Sequence, residues 1–222
     1  SEMCIRDRLG IIALFIVATP ALNRIVEWNE AMHLPEALHN IEQWMRQQEN
    51  AATKITEQIL QVNSFSHFLA VIFGIGILTG IGEEMIFRGV LQRIVQDKNH
   101  RAHVAVWICA FLFSAIHLQF YGFIPRLLLG AFFGYLLIWS KNLWLPIFAH
   151  LFNNSTVACI SYFTNDKSPD NLIETIGTSG SPTSWLAGAS LIGTVILLYV
   201  LYKKVFVSKS KEFFPMEDKI TP

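Results

Sequence analysis

The run Phe65 to Ile81 holds only Ser66, His67 and Thr79 as polar side chains, and it leads into Gly82-Glu83-Glu84-Met85-Ile86-Phe87-Arg88-Gly89. An apolar stretch of about 18 residues or more with few charges reads as a membrane span. Ionisable side chains at that depth are rare and functional by default. Two adjacent carboxylates and an arginine therefore constrain the rest of the chain, because other helices must supply their partners. Composition agrees. The 222 residues are 52% hydrophobic and 15% charged, whereas a soluble domain is about 25% charged. The mean hydropathy is +0.40. The 17 basic and 17 acidic residues cancel, so no overall field points to nucleic acid, and the partner implied is the lipid bilayer. Cys4, Cys109 and Cys159 form no Cys-x-x-Cys pair and read as small hydrophobes rather than thiol ligands.

These features predict an all-α, polytopic transmembrane helix bundle of about six spans with an amphipathic helical insert. Residues 1–8 differ in character from the apolar run after them and read as a doubtful leader. That run, Leu9 to Leu22, is shorter than a span of about 20 residues needs, so it reads as a truncated first span. A polar insert, 23–63, comes next. Within it Leu38, Ile41, Met45, Ile55, Ile59 and Val62 recur near helical spacing and Glu42–Arg46 is a favourable i,i+4 pair. This insert is expected to lie along or cap the membrane. The membrane core is expected at 64–163, an extracytoplasmic loop at 164–184, the last span at 185–206 and a charged tail at 207–222.

Basic residues set the orientation. With the N-terminus inside, the inner segments hold Arg6, Arg8, Arg88, Arg93, Lys98, Arg101, Lys141 and the lysines from Lys203 onward. The outer ones hold Arg24, Arg46, Lys54 and Lys167, with Arg126 at a helix end. A multi-pass protein of the bacterial cytoplasmic membrane, N-in and C-in, is the expectation.

Two further polar motifs interrupt the spans: Phe113-Ser114-Ala115-Ile116-His117 and Ala149-His150-Leu151-Phe152-Asn153-Asn154. With a turn near 98–102, Glu84 and His117 each lie roughly 20 Å along their helices from it, at about 1.5 Å per residue. Antiparallel packing then brings them to one level. His150 reaches that level if 92–97 protrudes into the cytoplasm, which puts the site nearer the cytoplasmic face. His150 and Asn154 share a helix face, as do Glu84 and Arg88, while Glu83 points about 100° away. One glutamate can then face a catalytic partner while the other pairs with Arg88. Gly130 and Gly134 form a GxxxG, read as bundle packing.

The three motifs in this order resemble the CAAX-protease and bacteriocin-processing family of intramembrane proteases, also called Abi. The pattern is carried here by Glu83-Glu84-x-x-x-Arg88, Phe113-x-x-x-His117 and His150-x-x-x-Asn154. The resemblance implies hydrolysis of a peptide bond, in a peptide or protein substrate within the membrane, reached from the cytoplasmic side. It implies Glu83 as general base, His117 positioning the water, and His150 and Asn154 stabilising the oxyanion. Glu84 and Arg88 would support them. A glutamate/histidine site is favoured over a metal site. If a divalent metal such as zinc is used, Glu83, His117 and His150 are its expected ligands. Eukaryotic members trim CaaX tails, and bacterial ones are associated with bacteriocin maturation or immunity. A catalytically inactive scaffold or immunity protein of the same fold is the main alternative. A proton-coupled transporter is a third reading, weakened by the lack of a visible internal repeat.

Overall fold

The computed structural model describes residues 5–99, 101–164 and 172–203. The expectations for the first four residues, for 165–171 of the loop and for the tail from 204 onward lie outside the described residues. Among those described, the chain is helical throughout, without strands. Four helices are long and apolar enough to cross a membrane: Ile5–Glu30, Phe65–Gln96, Phe120–Ser140 and Leu186–Lys203. Helix α6 (Ala102–Ala115) is apolar but shorter. Helix α8 (Trp144–Thr164) carries His150, Asn153 and Asn154.

Helix α1 (Ile5–Glu30) runs on past Leu22, with Pro20 inside it. The sequence places an insert from residue 23 because Asn23, Arg24, Glu27 and Asn29 are polar. In the fold these side chains bond to protein instead. Asn23 donates to the carbonyls of Ile173 and Ile176, Arg24 to that of Gly177, and Glu27 accepts from Ser179. Asn29 is buried, donating to Phe120 O at 3.2 Å and accepting from Ile124 N at 2.8 Å. Gly177 has φ of +87°, and a Cβ there would lie 2.5 Å from the Pro20 carbonyl oxygen. Only glycine fits that close approach.

The amphipathic insert is α2 (His39–Leu60), reached through a short 3-10 turn, Glu36–Leu38. It caps one end of the bundle. Trp44 packs on Phe120, the Arg46 guanidinium sits 4.2 Å from the Tyr121 ring centroid, and Glu49 accepts from Tyr121 N at 3.0 Å. At its other end, Ser161 donates to Leu60 O at 2.7 Å.

The helix that carries the carboxylates is not uniformly wound. Its α-helical pieces, α3 (Phe65–Val71), α4 (Gly80–Glu84) and α5 (Gln92–Asn99), are joined by π-helical stretches, Ile72–Thr79 and Met85–Leu91. Such widened turns recur at functional sites. Side chains attend the first stretch: Thr79 donates to Gly74 O and Asn154 to Ile75 O. Helix α7 (Phe123–Ser140) runs back beside α6, and Lys141, at φ 53°, makes the turn into α8. Gly130 permits the close α6–α7 contact, since a Cβ there would lie 3.2 Å from Ala110 Cα. Helix α9 (Leu172–Thr175) is a single turn, and α10 (Leu186–Val200) packs along α1. The core gathers Ile11, Leu14, Phe133, Leu136, Leu145, Ala149 and Leu201. Leucines, isoleucines and valines of α10 such as Leu191, Ile192, Val195 and Ile196 stay exposed, as a lipid-facing surface requires.

Candidate active site

Glu84, Arg88 and Gln92 follow at i, i+4 and i+8, and all three are fully buried. Their shared stripe faces α7 and α8. Arg88 Nη1 donates to Glu84 Oε1 at 2.9 Å, and Nη2 donates to the Gly130 carbonyl at 2.8 Å. Gln92 Nε2 donates to the Gly134 carbonyl at 3.2 Å. The GxxxG of α7 therefore does more than pack: its bare backbone is the acceptor that two buried donors reach. A charge without a partner at this depth would cost several kcal/mol, and the guanidinium is further held against aromatic faces, 4.7 Å from the Phe113 centroid.

Glu84 Oε1 accepts a second bond, from His150 Nδ1 at 2.9 Å. A carboxylate accepts only, so Nδ1 carries the proton, as in carboxylate–histidine pairs that fix ring orientation. Phe133 stacks on the same imidazole, centroid to centroid 4.9 Å and 17° between planes. The ring's other nitrogen, Nε2, then lies 3.8 Å from Glu83 Oε2. Glu83 is the exposed member, its side chain 25% accessible against 0% for Glu84. The two adjacent glutamates differ accordingly: Glu84 is an interior counter-ion, and Glu83 is a partly accessible carboxylate.

His117 follows the end of α6. Its Nδ1 donates to the Phe113 carbonyl at 2.7 Å, which leaves Nε2 with a lone pair or a second proton to offer. Phe113 touches both histidines, edge-on, at 5.2 and 5.8 Å between centroids. Asn154 is engaged elsewhere: its Nδ2 donates to Ile75 O at 3.2 Å, and its Oδ1 accepts from Asn153. Glu83, Glu84, Arg88 and His150 thus meet directly, His117 joins through Phe113, and Asn154 ties α8 to the π-helical turn. Gln92, Phe113 and Phe133 were not among the expected site residues. Gln92 could have been found from its i,i+4 spacing to Arg88, and Phe113 stood in the Phe113-x-x-x-His117 motif without a role; Phe133 has no comparable signal in an apolar run.

The three groups expected to hold a metal do not converge. Among the described residues, no three His, Cys, Asp or Glu side chains are placed to hold an ion. The donor set in this conformation does not fit zinc. A separate cavity of about 770 Å³ lies between α1, α2 and α8, with Phe15, Leu60, Asn153 and Val157 in its wall. None of the six candidate residues lines it.

Residues 65–156 match the family model described as type II CAAX prenyl endopeptidase Rce1-like. The uncharacterized protein YpbD of Bacillus subtilis (strain 168) is 29% identical over 109 residues, covering 47% of this chain and 51% of that relative. The chain therefore spans about half the length of the curated relative it matches. No solved structure matches. All three polar motifs lie inside the matched segment, so what is similar to the Rce1-like family model is the stretch that carries them, residues 65–156.

Proposed function

We propose that the chain is an intramembrane endopeptidase that hydrolyses a peptide bond with water activated by Glu83. The Glu84-bound His150, with Nε2 facing the partly exposed Glu83 at 3.8 Å, is the observation that supports this reading. Glu83 takes a proton from water, and the hydroxide oxygen bonds to the scissile carbonyl carbon as the carbonyl electron pair moves onto oxygen. Collapse of that intermediate breaks the C–N bond, and the proton held by Glu83 passes to the departing amine. With His150 as an imidazolium, the charges of Glu83, Glu84, Arg88 and His150 sum to zero. Its Nε2–H is then a preorganised donor for the oxyanion. His117 Nε2 lies free to orient the water. Asn154, bonded to Ile75, acts by fixing α8 against the carboxylate helix rather than by touching substrate.

Access from the cytoplasm and an N-in, C-in topology are both part of the reading. Cysteine labelling of α2 from either side of the membrane tests the topology, which puts α2 on the outer side.

Glu83→Gln keeps the shape and removes the base. Purified Glu83→Gln protein should insert and fold normally while losing roughly 10²- to 10⁴-fold in kcat, on membrane peptides identified by comparing wild-type and variant vesicles. Chelator should leave the wild-type rate unchanged. A Glu83→Gln protein that cleaves as the wild type does favours the inactive scaffold, and activity strictly restored by one bound zinc would replace the water mechanism with a metal one.

A further inference from the structure

Arg126 stands in the first turn of α7, inside the apolar span Phe120–Ser140. A cation is disfavoured there twice, by the apolar surroundings and by the positive end of the helix dipole. Its side chain folds back over Gly122, where a Cβ would lie 3.3 Å from Nη2. Nη1 donates to the Gln119 carbonyl at 3.3 Å and Nη2 to Gln119 Oε1 at 2.7 Å. Both partners are neutral. No carboxylate among the described residues comes within 4.0 Å of the guanidinium. The acidic groups whose fields reach it are Glu49 and Glu83. Glu49 already accepts from Tyr121 N, and Glu83 faces His150.

The segment that holds Arg126 is unusually determined. Leu118 takes φ of 54°, a conformation that a branched side chain adopts only when its surroundings impose it. Ser114 Oγ donates to Phe123 O at 2.8 Å, and Asn29 fixes Phe120 and Ile124. His117, Gln119 and Arg126 are therefore held on one short, tethered stretch, joined to His150 through the Phe113 ring that both histidines touch. A partly buried arginine fork of this kind matches a carboxylate.

We propose that Arg126 is a specificity-determining residue that binds a carboxylate of the substrate, placing the neighbouring peptide bond against Glu83 and His150. This rests on the endopeptidase reading for its meaning, but the binding it asserts is measurable without cleavage.

The test uses three pools of apolar-anchored peptides with randomised final residues, bound to the full chain in nanodiscs and followed by photo-crosslinking. One pool has a free C-terminus and no acidic side chain; the second is the same pool amidated; the third is amidated with one Asp or Glu near its end. Either carboxylate-bearing pool should bind roughly ten- to a hundred-fold more tightly than the neutral pool, the range for a hydrogen-bonded charge pair. Preference for the first pool assigns the α-carboxylate, and preference for the third assigns a side chain. Arg126→Ala should abolish the difference, and Arg126→Lys should restore part of it. Gln119→Ala, which frees the guanidinium without removing it, should keep the preference. Equal binding of all three pools by the wild type overturns the proposal, whether or not Arg126→Ala folds. An Arg126→Ala protein that loses affinity for every pool alike also overturns it, because the arginine would then only be clasping its loop. Loss of cleavage with the binding preference intact would instead count against the endopeptidase reading alone.

Discussion

Arg88→Met tests whether the Glu84–Arg88–His150 cluster is ionised in the folded state. The substitution keeps roughly the length and apolar volume of the side chain. It removes the 2.9 Å ion pair to Glu84 and the 2.8 Å bond to Gly130 O. Breaking a buried pair by deleting one partner costs about 3–5 kcal/mol, mostly from the charge left behind. The Gly130 carbonyl lies inside α7 and keeps its intrahelical donor, so losing the second bond adds only about 0.5–1.5 kcal/mol. The two overlap, since Glu84 retains His150 and can take up a proton, so about 3–5 kcal/mol is expected in total. Average interhelical hydrogen bonds in membranes contribute only about 0.6 kcal/mol, so the two cases are well separated. The double variant Glu84→Gln, Arg88→Met removes both charges and should return to within about 2 kcal/mol of the wild type. It should stay inactive, because His150 then lacks its carboxylate. Reversible unfolding in mixed micelles, followed by tryptophan fluorescence, measures all three proteins. A cost below about 1 kcal/mol for the single variant, or a double variant less stable than the single one, would refute a charged, water-poor cluster.

Two other perturbations are informative. Leu34 N, His33 and Arg46 hold the Glu42 carboxyl well below its ordinary 4.5, down to about 2. What this carboxylate contributes to seating α2 is thus fully present above pH 4.5 and is lost as the pH falls through about 2. Hydrogen exchange across 33–46 should rise in that window, and Glu42→Gln should exchange fast at all pH values. Gly130→Ala should destabilise by about 1–3 kcal/mol, since the new methyl meets the Ala110 backbone, whereas Gly74→Ala, with nothing within 4 Å, should be neutral in the same unfolding assay.

The acidic and basic members of the site were legible because charge is conspicuous in an apolar run. Glu83, Glu84, Arg88 and His150 could be named, and the i,i+4 link of Glu84 to Arg88 could be placed on one helix face. Their division of labour needed coordinates. Helix geometry separates two adjacent glutamates but does not say which one meets His150 through its Nδ1. Gly130 and Gly134 read as close packing, and nothing in a GxxxG announces that its carbonyls will receive Arg88 and Gln92. Asn154 matched a motif position, yet its amide is spent on Ile75 in a π-helical turn that a 3.6-residue pattern cannot foresee. The end of α1 was obscured for a different reason. Polarity in Asn23, Arg24 and Asn29 reads as water contact, whereas here it marks bonds to other parts of the chain.

The two π-helical stretches give the carboxylate helix an adjustable phase. Each closes its bonds one residue further along than an α-turn does, so each rotates everything beyond it about the axis. The stretch before Gly80 sets how the glutamates point relative to α8, and the stretch after Glu84 sets how Gln92 meets α7. The five residues between them, Gly80–Glu84, are regular α-helix. Insertions or deletions on either side can therefore be absorbed by converting π to α winding, or the reverse. Such a conversion would leave the mutual angle of the two carboxylates unchanged.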